Sequence, residues 1–148
     1  MFGFSKRERE ENQKAEAIEH GLDLFLSEFR IALATTANAY GISAYPSGDS
    51  LKEERFMTVL VASALWMGKN LDAEQQTVTK ALKAYFSAFA DGEDALRIAL
   101  NTGLLNRHEN LADKVFHVWY LIHNHQGQGI QVDREELMMS LSQIYLGV

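Results

Sequence analysis

The chain has 148 residues, 47% hydrophobic and 23% charged, with no cysteine and a formal charge of −6. One domain of this size can bury a core without a metal or disulfide staple, and the composition argues against disorder. Without cysteine there are no disulfides, thiolate nucleophiles, zinc ribbons or iron–sulfur ligation.

The 14 basic residues are interspersed with 20 acids, whereas duplex binding needs clustered Lys and Arg. From Asp91 onward eight acids face four Lys or Arg, a balance suited to a basic protein partner. No nucleic acid is expected. The start "MFGFSKRERE" has no apolar core of a secretory signal. The longest apolar run, "FMTVLVASALWMG", is too short to span a bilayer. A soluble, cytoplasmic protein with no membrane partner is expected.

Ser5 with Glu8 forms a capping box that opens a long helix ending near Gly41. Its first turns are nearly all charged. Apolar residues then recur at Ile18, Leu22, Phe25, Leu26, Phe29, Leu33, Ala37 and Tyr40 with the three-and-four spacing of one helix face. Gly21 could permit a bend. "GISAYPSGD" breaks this helix, and Ser50 with Glu53 forms a second capping box. Phe56 to Met67 is apolar on almost every side, and Gly68 marks the close of that helix. A helix without a polar face belongs at the centre of a bundle.

Asp72 is expected to cap a third helix, with Val78, Leu82, Tyr85, Phe86 and Phe89 facing inward. After the Asp91-Gly92 turn, a short helix carries Ala95, Leu96, Ile98, Ala99 and Leu100. A fifth helix runs from about Leu111 to Asn124, with Val115, Val118, Trp119 and Ile122 on its inner face. Asp133 with Glu136 is a third capping box, opening a last helix with Leu137, Met138, Leu141, Ile144 and Tyr145. Only "QGQGIQV" offers an extended segment. The expected fold is all-α, one domain over 1–148. It is a bundle of about six helices around a central apolar helix at 51–67, and a charged helical extension at about 5–17 projects into solvent.

The stretch "LIHNHQGQGIQVDREEL" invites a metal reading. As a calcium loop it would place Gly129 and Glu135 correctly, but Asn124, Gln126 and Gln128 fill the early ligand positions, where calcium wants anionic oxygens. For a transition metal, His117, His123 and His125 are the nearest group, with His108 further off. His117 and His123 lie about 240° apart round a helix, and His123 converges with His125 only if the helix has already ended. "HENLA" has Ala112 where a zinc-protease motif needs its second histidine. The favoured reading is punctuation: histidines near a helix C-terminus, glycines in the turn, Asp133 capping the next helix. No cofactor is expected.

"GQGIQV" lacks the third glycine of a dinucleotide loop, no "GxxxxGK" occurs, and "GISAY" lacks the last glycine of a nucleophile elbow. Glu53-Glu54 and Glu135-Glu136 sit in first helical turns, where they complement the dipole and stay wet. With no catalytic constellation evident, a non-enzymatic protein-interaction module is expected, one that binds and regulates or inhibits a protein partner. Immunity proteins, antitoxins and inhibitors resemble it only as a class. The candidate contacts are Tyr40, Ile42, Tyr45 and Pro46 in the main helix-breaking loop, because tyrosine combines apolar area with a polar tip. Met139 joins them, because it and Met138 cannot both face inward. A homodimer through later apolar positions is a further expectation. The alternative is a small-molecule- or metal-binding helical protein using His108, His117, His123 and His125.

Overall fold

The computed structural model describes residues 5–44, 54–88, 92–101, 103–127, 129 and 133–148. These form seven helices and no strand. In chain order they are α1 (Lys6–Tyr40), α2 (Glu54–Asn70), α3 (Gln75–Phe86), α4 (Gly92–Asn101), α5 (Leu104–Arg107), α6 (Glu109–Gly127) and α7 (Arg134–Leu146). The one-turn α5 is the helix that sequence periodicity is too short to reveal. The Ser50–Glu53 capping box, Phe89 and most of "QGQGIQV" lie outside the described residues.

α2 packs against α1, α3, α4, α5 and α6, while α7 packs against α1 and α6. The enclosure of α2 follows from its composition: Phe56, Val59, Leu60, Ala62 and Ala64 are all fully buried. Its polar residues are satisfied in place. Thr58 Oγ1 donates to the Glu54 carbonyl at 2.7 Å, and Ser63 Oγ accepts from Trp119 Nε1 at 2.9 Å. Phe25, Phe29 and Leu33 of α1, Leu82 and Phe86 of α3, Val115 and Val118 of α6, and Leu141 of α7 complete one contiguous core. Arg55 ties the start of α2 to the end of α7 by donating to the Tyr145 carbonyl at 2.7 Å.

Two helix starts follow the capping rules. Ser5 Oγ accepts from Glu8 N, and Asp133 Oδ1 accepts from Glu136 N, each at 3.1 Å. The third helix departs from expectation. Asp72 is a left-handed turn residue, φ 54°, a conformation that Asp tolerates better than most. The N-cap of α3 is Glu74, whose side chain makes no cap hydrogen bond. The anion serving this helix start comes instead from α1: Glu11 Oε2 accepts from Glu74 N at 3.2 Å and from the Thr77 hydroxyl.

The charged start of α1 therefore runs beside α3, with residues 6–10 exposed. Arg7 pairs with Glu74, Lys14 donates to the Asp72 carbonyl at 2.9 Å, and Lys80 donates to Asn12 at 2.8 Å. No residue from Lys6 to Lys14 is buried, and these polar contacts tie the turns to α3.

Gly68 does not close α2, which continues to Asn70. A Cβ at Gly68 would fall 2.4 Å from Val78 Cγ2, so its lack of a side chain lets α2 and α3 touch. Gly21 plays a similar part, with Met67 Sδ 2.4 Å from where its Cβ would be.

Gly68→Ala should destabilise the protein by about 1 kcal/mol net in urea unfolding. Overpacking costs about 1–3 kcal/mol, and the helix gains up to about 1. Val78 is stiff at χ1 and cannot swing clear. In a Val78→Ala background the same substitution should become stabilising, and an unchanged sign would refute the steric account.

The Thr77 hydroxyl, with help from the Glu74 N–H and Lys14, holds the Glu11 carboxyl below the ordinary glutamate range, while burial opposes this. A depressed carboxylate stabilises at pH above its unfolded value, and the benefit is lost as pH falls through the folded one. Hydrogen exchange of the α1 amides before Ile18 should be faster in Glu11→Gln than in the parent at neutral pH. That difference should close only in acid below the ordinary glutamate range. A gap that persisted in acid would rule out this role.

Candidate functional site

The histidines of the alternative metal reading lie apart from one another. α6 runs unbroken through His125 to Gly127, so His123 and His125 diverge by about 200° round the helix. His117 is exposed, as is Asp113 one turn before it. The His123 ring meets Trp66 edge-on, 5.5 Å between centroids. His108 belongs to a different cluster: its Nε2 lies 2.7 Å from Glu54 Oε2, while Arg107 Nη2 reaches Glu54 Oε1 at 2.6 Å. These two neighbours, His108 foremost, hold the Glu54 carboxyl below its ordinary range. The cluster clamps the start of α2 to the α5–α6 corner. Among the described residues no three His, Asp or Glu side chains are placed to hold a metal ion, and no helix is long and apolar enough to cross a membrane.

Among the described residues, two of the surface grooves carry large apolar side chains in their lining. One, of about 590 Å³, runs between α2 and α6 along Leu65, Trp66, Lys69, Asn70 and Phe116. Its main aromatic ring is already engaged. Trp66 stacks on Trp119 at 5.6 Å, and Trp119 stacks on Phe25 at 4.8 Å. Lys69 sits in the last turn of α2, where a cation complements the helix dipole. Internal packing accounts for most of this face.

The other groove, of about 280 Å³, lies between α1 and α7 and is lined by Glu28, Ile31, Ala32, Thr35, Arg134, Glu135, Met138 and Met139. Ile31 is 71% exposed, the most exposed large hydrophobic side chain among the described residues. Met138 is buried and Met139 half-buried, the division that adjacent methionines on a helix require. Arg134 closes one end by a two-point ion pair with Glu28, at 3.1 Å from Nε and 2.8 Å from Nη2. A short apolar floor with a charged rim is the layout of a protein contact patch.

Of the loop residues singled out from sequence, Tyr40 and Ile42 are 52% and 41% exposed at the end of α1. There Gly41, φ 67°, forms the left-handed cap and the Ile42 N–H reaches the Ala37 carbonyl. Neither lines the α1–α7 groove, while Tyr45 and Pro46 lie outside the described residues. Met139 is thus, among the described residues, the one sequence-selected contact residue that lines the groove. Ile31 was missed because its exposure depends on where α7 ends its cover of α1. The available signal was that Ile31 falls off the Leu22–Phe29–Leu33 face.

Ser63→Ala would strip the Trp119 indole N–H of its acceptor while leaving the stacked rings in place. A loss of about 1–2 kcal/mol is expected in urea unfolding followed by tryptophan fluorescence. An unchanged midpoint would show that the bond contributes nothing net.

Compared with protein-family models, curated proteins and solved structures, the chain matches none of them.

Proposed function

We propose that this protein is a non-catalytic binding module that regulates or inhibits a protein partner, working in the cytoplasm, and that it meets its partner through the α1–α7 face. The observation that carries this reading is Ile31, a large aliphatic side chain 71% exposed beside Met139 in an apolar groove with a charged rim. Leaving such a side chain in water forgoes about 1.5–3 kcal/mol of burial, which a partner surface would recover. Arrangement of the titratable groups supports binding over catalysis. Glu54 is engaged by His108 and Arg107, and Glu11 by Thr77 and Lys14, each joining one helix to another.

The test is site-specific photocrosslinking in the native cell. A benzophenone side chain at Thr35, which lines the groove, should yield a discrete higher-mass adduct. The same group at exposed Ala84 on α3 should not. Absence of an adduct at Thr35, or an identical pattern from both positions, would refute the assignment.

A further inference from the structure

Resting on the interaction reading above, we infer that the α1–α7 groove receives an amphipathic helix of the partner, with apolar side chains on one face and Lys or Arg beside them. Three features of the groove specify this occupant. Its volume is about 280 Å³. It suits a few aliphatic side chains presented by a helix. Its wall carries the half-buried Met139, whose flexible thioether adapts to whichever aliphatic shape enters.

The charge of the rim decides the rest. Glu28 already spends its carboxylate on Arg134 through both oxygens, so the single cation of the rim is neutralised. Glu135 lines the groove and Glu136 follows it in the first turn of α7. Both are exposed, and neither has an ion-pair partner among the described residues. An acidic ligand would be repelled there. A second copy docking groove to groove would bring identical acidic rims together, because a two-fold contact uses the same patch on both sides. A basic rim on the incoming helix satisfies Glu135 at the groove, with exposed Glu136 one residue on adding to the acidic field, while its apolar face covers Ile31.

The experiment uses two labelled synthetic helical peptides with the same leucine face, one with lysine and one with glutamate on its flanks. Each is titrated into the full chain and followed by fluorescence anisotropy at low and physiological salt. The lysine peptide should bind, more weakly as salt rises, and the glutamate peptide should not. Glu135→Gln with Glu136→Gln should weaken binding about tenfold, in line with the loss of close charge pairs. Ile31→Ser should do likewise without altering charge. All three positions tolerate substitution because they are exposed, and unchanged circular dichroism verifies folding. Glu10→Gln with Glu16→Gln removes the same charge about 20 Å or more along α1 and should change affinity less than threefold. Equal binding of both peptides, or equal weakening by the two charge-removing pairs, would overturn the inference. So would sedimentation of the free protein as a dimer that Ile31→Ser dissociates. If Thr35 crosslinks in the cell while neither peptide binds, the interaction reading stands and the basic helix falls.

Discussion

A helical stretch with no polar face must be buried, and α2 carries the longest such stretch among the described residues. Residues Phe56 to Ala64 are buried without interruption, and α1, α3, α4, α5 and α6 all contact this helix. The cost of burying hydroxyls there is offset locally, Thr58 by its own helix and Ser63 by the Trp119 indole. Gly68 carries the same constraint to the end of α2, where only the absence of a Cβ lets α3 approach.

α1 answers to a different constraint, its length. Thirty-five residues extend about 52 Å, whereas the next longest helix, α6, has 19 and covers about 28 Å. No single neighbour can mask such a rod. Its middle is buried on α2, its early turns are held to α3 by charge and hydrogen bonds, and its later turns share α7. What remains bare between α1 and α7 is the groove at Ile31. The candidate contact surface is therefore a by-product of how unequal helices share one core.

Where a structural signal is local, it was legible in the sequence. The capping oxygens of Ser5 and Asp133 act within three residues of themselves, and the three-and-four spacing of α1 maps onto its buried face from Ile18 to Ala37. Adjacent methionines cannot share a face, which is why Met139 could be singled out. Non-local signals were not legible. Asp72 looks like an N-cap, but the carboxylate that serves α3 is Glu11, 63 residues before the Glu74 N–H it accepts. Gly68 looks like a terminator because its reason for existing, Val78, lies on another helix. Composition does not say that α3 offers an unsatisfied N-terminus beside the charged start of α1. Exposure of Ile31 depends on the edge of a neighbouring helix, which no periodicity encodes.

The row of rings from Phe25 through Trp119 to Trp66 has an optical consequence. Two indoles with centroids 5.6 Å apart and planes 19° from parallel share their excited states. Their transitions couple into a paired band of opposite signs in ultraviolet circular dichroism. The chain holds two tryptophans, one on α2 and one on α6, so that couplet reports the separation of two helices with no added dye. Any event that slides α6 along α2, at whatever distance from the rings it begins, is written directly into the protein's own absorption.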